Sequence, residues 1–343
     1  MSARAAGPAP RRYPPAVPLF LALLLAADGP LAVVSETRPA LGSVATVIIA
    51  GADPARAALG VEAAFAVFER VGWSMNEWLP GSPLAELNAR AGRGWVLVPG
   101  DLCLALEAAL DGARRTGGRF DPTWAALSDL WRFDGTRDTP PSGAEVEARC
   151  ALVGHRGLEV RRRGADACDA RLARPGMRVG LGGLAKGWAL DQAARVLRGL
   201  ELRDFLLQAG GDLYAAGRRG KTPWPVPVRD PRGGPGEALV VVPVSDRALS
   251  TSGDYEHAYF RGGRRYHHLI DPRTCRPATR SQAVSVLART AVEAEIQDKA
   301  LFVAGGEEAL ALARAAGVEA LVVDAGGRIH TTPGLGATPA PGR

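Results

Sequence analysis

A mixed α/β (α+β) fold built as a single catalytic domain is the class this sequence predicts, and three observations carry it. Short β-branched or aliphatic runs bounded by Gly, Pro or Asp alternate with longer stretches of helical apolar spacing. Hydrophobic residues make up 47% of 343 positions, enough to bury a full-sized core and to exclude a disordered chain. No internal repeat and no linker divides residues 36–332 into independent halves.

The elements follow in order. Arg4, Arg11 and Arg12 precede an apolar run from Val17 to Ala27 broken only by Pro18, which reads as a signal peptide, so residues 1–35 are taken as a leader. The run is shorter than the roughly 20 residues a membrane span needs, and no lipid-anchor cysteine follows it. An exported, periplasmic or inner-membrane-associated location is predicted. Val44 to Ile49 reads as a strand, and 54–71 as a helix through Leu59, Ala63, Val67 and Val71. Residues 84–89 and 102–116 read as helices, the second stopping at Gly117-Gly118. The polar stretch 135–178 holds strand-like pieces near Leu158, and 187–197 is helical. Strands are expected at 205–208, 225–229, 239–244 and 283–288, then helices at 291–303 and 307–316 and a strand at 321–323. The Pro/Gly-rich tail 333–343 is expected to be disordered.

The net charge of +6 is spread along the chain without a basic stripe or interleaved aromatics, which argues against nucleic-acid binding. Cys103, Cys150, Cys168 and Cys275 contain no Cys-x-x-Cys pair, so neither zinc nor a redox motif is indicated. Cys150 and Cys168 flank one Arg-rich segment and are a candidate disulfide; two unpaired cysteines are the alternative.

Chemistry concentrates in a few stretches. Val179 to Asp191, with Gly180, Gly182, Gly183 and Gly187, puts small residues at a strand-to-helix junction, where free backbone N–H groups can receive a phosphate. A tight turn with close packing is the plain alternative, and neither the dinucleotide fingerprint nor the P-loop spacing is present. Gly210-Gly211-Asp212 follows an apolar strand, and Leu249 to Tyr255 reads as a loop offering hydroxyls. His267 and His268 precede Asp271 in a predicted loop; imidazole is the side chain suited to proton transfer near neutrality, with metal binding or a buried histidine as alternatives. Adjacent side chains on an extended segment face opposite ways, so at most one of the two enters a site. Asp121, in Phe120-Asp121-Pro122-Thr123, either caps a helix or touches a ligand.

In order and spacing these stretches resemble the FAD:protein FMN transferases. The resemblance runs from about Ala40 to Ile329, through Leu41-Gly42-Ser43, Ser74 to Asn88, Phe120 to Thr123, Gly182 to Gly187, Gly210 to Asp212, Arg229-Asp230-Pro231, Thr251 to Tyr255 and His267 to Pro272. It implies a monomer with a T-fold-like catalytic domain that binds FAD and magnesium and transfers FMN to a threonine of a membrane or exported redox protein, releasing AMP. By the same resemblance His268 is the base. Leu41, Trp78, Arg119, Phe120, Asp121, Gly182, Lys186, Trp188, Thr251, Ser252, Gly253 and Leu269 are implied FAD contacts, and Ala185, Glu295, Asp298 and Lys299 the implied metal site.

Four positions depart from the family pattern. Glu295 and Lys299 stand where Asp and Thr are the usual magnesium ligands, Gly180 where Asp is common, and Cys275 where Gly is usual. Lys299 either puts an ammonium in the cation's place, or Glu295 and Asp298 still hold magnesium through carboxylates, or the two form an ordinary surface pair. FAD hydrolysis to FMN and AMP, and flavin storage without catalysis, are the rival functions.

Overall fold

The computed structural model describes residues 32–137, 139–164 and 166–341. Of the expected leader, residues 1–31 lie outside the described residues, whereas Val33 to Ser35 already belong to a strand.

The elements are β1 (Val33–Ala40), β2 (Ser43–Ala50), α1 (Pro54–Ser74), α2 (Pro83–Ala89), β3 (Val96–Pro99), α3 (Gly100–Arg115), α4 (Gly143–Cys150), β4 (Leu158–Arg162), β5 (Ala167–Leu172), α5 (Ala185–Gly199), β6 (Phe205–Ala209), β7 (Asp212–Ala216), β8 (Trp224–Arg229), β9 (Ala238–Val244) and β10 (Arg247–Gly253). They continue with β11 (Ala258–Arg261), β12 (Arg264–His267), β13 (Ile270–Asp271), β14 (Arg276–Pro277), β15 (Ser281–Ala288), α6 (Ala291–Ala304), α7 (Gly306–Ala316), β16 (Glu319–Asp324), β17 (Ile329–Thr331) and β18 (Thr338–Pro339).

An eight-stranded sheet, ordered β1-β2-β6-β7-β10-β15-β16-β17 and antiparallel throughout, forms the middle of three layers. One face packs on α1, α5 and α6 in the main core; Phe205, Leu207, Val284 and Val286 point there. Leu206, Leu213, Ala215 and Leu249 point the other way, against Trp224, Val226, Val242 and Val244 of the small β8-β9-β18 sheet. A sheet covered on both faces is apolar at successive positions, which is why β6 and β7 read as unbroken hydrophobic runs.

Local chemistry sets the ends. Asp53 caps α1 by accepting from the N–H groups of Ala55 and Arg56 at 3.0 and 3.1 Å, with Pro54 at the first helical position. The buried stripe of α1 runs through Ala57, Val61, Ala64, Phe65 and Phe68, so Leu59, expected on the apolar face, is 66% exposed.

Several expectations are corrected. Residues 333–341 are ordered: Leu335 is buried against the β8-β9 layer and Thr338–Pro339 pairs with β9. Thr251, Ser252 and Gly253 end a sheet strand instead of forming a loop. The proposed Cys150–Cys168 bridge is replaced by Cys103–Cys168, joining α3 to β5, and Cys150–Cys275, joining α4 to the β13–β14 turn. Sequence proximity misled because β5 lies beside β3, which directly precedes α3.

Candidate functional site

The site is assembled where the Gly180–Leu184 turn, the Gly210-Gly211 turn, β10 and α6 converge. Leu184, the residue before α5, supplies no capping side chain, and the Ala185 N–H donates to the carbonyl of Leu181 at 2.7 Å. A Cβ on Gly187 would lie 2.6 Å from the carbonyl oxygen of Ala291, so glycine is what lets α5 and α6 approach here. Through that contact the Gly187 N–H donates to Oε2 of Glu295 at 2.7 Å. Asp191, one turn on, accepts from the N–H groups of Ala291 and Val292 and fixes the start of α6.

Two ammonium groups and three buried carboxyls meet in this junction. Lys186 donates to Asp212 and, at 2.6 Å, to Oε1 of Glu295. Lys299 Nζ lies 3.0 Å from Oδ1 of Asp298 and 3.7 Å from Oε1 of Glu295. Ser250, opposite Asp212 in the β7–β10 register, touches both Asp212 and, at 2.6 Å, Oδ2 of Asp298. One hydroxyl has one proton, so both contacts are hydrogen bonds only if one of the two carboxyls is protonated and donates to Ser250; burial opposes ionisation of Asp212, but Lys186 and Lys299 hold its pKa down, which leaves Asp298 as that donor. Burial raises the pKa of Asp298 in the direction this requires. Burial also pushes up Glu295, although both its oxygens accept hydrogen bonds. Burial alone would lower Lys186 and Lys299, but the surrounding carboxylates hold both above the ordinary lysine value. With Asp298 neutral, the two ammoniums balance Asp212 and Glu295, and the cluster is electrically closed.

His268 follows β12, its N–H bonded to the carbonyl of His257 at 3.1 Å and its ring edge-to-face with the His257 ring at 5.2 Å. Burial, with His257, His267 and Lys299 adding to it, pulls its pKa down to about 3, so the imidazole is neutral. Its neighbour is of the other kind: His267 accepts from the Leu269 N–H at 3.3 Å and its Nε2 lies 2.7 Å from the carbonyl of Ala278, a buried histidine used for structure. Three buried polar atoms at the site lack a hydrogen-bond partner among the described residues: Nδ1 of His268, Nε1 of Trp188 and Oδ1 of Asp298, the last only ion-paired with Lys299 at 3.0 Å. Unpaired buried polar atoms of this kind are uncommon away from functional sites.

The other predicted contacts divide. Gly182 is open to solvent, and Phe120 backs Gly183, whose Cβ would lie 3.7 Å from its ring. Leu41 forms the β1–β2 turn and packs on Gly72, and Trp78 is 57% exposed with the Arg178 guanidinium over its ring at 5.1 Å. Thr251 is hydrogen-bonded to Ser285 at 2.8 Å, and Ser252, Gly253 and Leu269 line the adjoining strand and turn. Asp121 proves to be a structural cap: Oδ1 accepts from Thr123 and Oδ2 from the His155 N–H, leaving neither oxygen for a ligand. Arg119 is tied to Glu308 at 2.7 Å. Asp212 and Ser250 were passed over as site residues; the acid directly after Gly210-Gly211 was the available signal.

The residues around Ala185 do not fit a divalent cation. Ammonium groups occupy the carboxylate oxygens that would ligate it, and among the described residues no group of three or more His, Cys, Asp or Glu is arranged to hold a metal ion.

The sequence matches the ApbE family over residues 41–322. The chain belongs to that family. A Rhodobacter capsulatus FAD:protein FMN transferase is 35% identical over 310 residues, covering 89% of this chain and 58% of that protein. A Treponema pallidum protein of the same name is 34% identical, covering 74% of each. The structure of a Thermotoga maritima ApbE protein superimposes with a TM-score of 0.80 at 28% identity, covering 88% of this chain and 97% of that one. The flavin transferase ApbE of Vibrio cholerae gives 0.77 at 25% identity, covering 89% and 99%. The single mixed α/β domain is therefore that of the ApbE family.

Proposed function

We propose that this chain takes FAD as donor and transfers FMN to a threonine hydroxyl of an exported redox protein. The observation that carries this reading is the convergence of the open Gly182 turn, the Lys299 ammonium and the neutral His268 imidazole on one junction. The threonine oxygen attacks the phosphorus of the FMN half, the bond from that phosphorus to the bridging oxygen breaks, and AMP leaves with that oxygen. The threonine proton passes to His268. The turn leading into α5 holds the diphosphate by its backbone N–H groups, and Lys299 supplies positive charge in place of a magnesium ion. Positioning and charge neutralisation then account for most of the rate.

The acceptor lies outside the cytoplasm in this reading. Its support is that all four cysteines pair as disulfides, which persist in oxidising compartments. Among the described residues no helix is long and apolar enough to cross a membrane.

The test is incubation of the protein with FAD and a periplasmic extract, with and without chelator, followed by mass spectrometry of flavin-labelled bands. One FMN per acceptor threonine with matching AMP release is expected. AMP and free FMN without any protein adduct would make the chain a hydrolase, and FAD binding without turnover would make it a carrier.

A further inference from the structure

Gly180 removes a carboxyl from the approach to the phosphate turn, yet the place is filled. Glu77, in the turn after α1, brings its side chain there: a Cβ on Gly180 would lie 2.7 Å from Oε1 of Glu77 and 2.9 Å from Cβ of Ala125. Glycine at 180 is what admits the Glu77 carboxyl. The side chain is nine-tenths buried, and its carboxylate accepts from its own backbone N–H. Burial pushes it up to about 7, with Arg178 the one nearby cation pulling it back. Next in sequence stands Trp78, one face covered by Arg178 and the remainder exposed beside the turn.

Resting on FAD as donor, we infer that Glu77 is a ligand-binding residue: its carboxylate accepts a hydrogen bond from an N–H carried by one of the donor's heterocycles while Trp78 stacks on that ring. A buried acceptor paired with nothing but its own backbone N–H, next to an exposed indole and against Gly180, two residues from Gly182, is the arrangement that reads an N–H-bearing heterocycle. Such a contact is charge-assisted and compensates the desolvation of the carboxylate. The flavin imide and the adenine amino group both present that N–H, and fragment binding separates them.

The full chain is titrated with FAD, FMN and ADP as wild type, Glu77→Gln, Gly180→Asp and the double variant Glu77→Ala/Gly180→Asp, with thermal midpoints recorded in parallel. Glu77→Gln should weaken FAD about tenfold. The same loss should appear with only one fragment, FMN if the flavin is read and ADP if the adenine is. Gly180→Asp alone should lose both stability and affinity by collision with Glu77, and the double variant should recover most of the affinity. Unchanged binding by Glu77→Gln, with only its thermal midpoint lowered, overturns the inference and leaves the donor assignment standing. Absence of FAD binding by the wild type overturns both.

Discussion

Gly183 and Lys299 face each other across the loop–helix junction, where a Cβ on Gly183 would sit 3.3 Å from Cε of Lys299. The lysine stem therefore runs directly beneath the turn that would hold a diphosphate, and its ammonium ends among acids of α6. An ammonium fixed in a buried site needs no reorganisation when negative charge develops, which makes it an effective electrostatic catalyst.

Lys299→Met should lower the transfer rate by about 10²-fold, the scale seen when one preorganised charge partner is removed. Wild-type transfer should survive a chelator, and Lys299→Thr should regain rate only when magnesium is added. A wild-type rate abolished by chelator would return the cation role to a metal.

His268→Ala should lower kcat by about 10²–10⁴-fold, the usual contribution of a general base, with FAD affinity nearly unchanged. Single-turnover kinetics beside equilibrium FAD titration separates the two effects. A matching loss of affinity would reassign His268 to binding.

The neutral, buried His268 has a consequence for stability. Its pKa falls from near 6.5 to about 3, so between those values the unfolded chain binds a proton that the folded chain refuses. Stability then falls as pH drops through that window and is fully present above it. Urea titrations at a series of pH values should show this slope, and His268→Gln should flatten it.

The two disulfides should differ in effect. Cys275 adopts a left-handed backbone at φ 58°, its carbonyl accepts from Trp131 Nε1 at 2.9 Å, and Trp131 stacks on Tyr266, two residues from His268. Replacing Cys150 and Cys275 with serine should cost about 2–4 kcal/mol of stability and also lower kcat. Replacing Cys103 and Cys168 should cost comparable stability and leave kcat unchanged, since that bridge ties α3 to β5 away from the base. Equal kcat in both variants would detach the Cys150 bridge from the site.

Glycine-rich and histidine-bearing stretches were legible in the sequence because each states a local requirement: Gly187 for close helix approach, and the His267-His268 pair for a group that can carry a proton near neutrality. The strands that became the central sheet were legible where they are apolar on both faces, as at Phe205 to Ala209. The Thr251 segment was not, because Ser, Thr and Gly are turn-forming residues and only its partners β7 and β15 make it a strand.

The sequence by itself determined the fold class, the family and the glycine-rich and histidine-bearing stretches on which the proposed mechanism rests, since those depend on residue type and on spacing along the chain. Only the tertiary structure decided which cysteines pair, that Asp121 is a cap, that Lys186 and Lys299 occupy the carboxylates of α6 and β7, and that Glu77 fills the space left by Gly180. Charge pairing and burial depend on distance in space, and residues more than a hundred positions apart, such as Lys186 and Glu295, carry no local mark of their meeting.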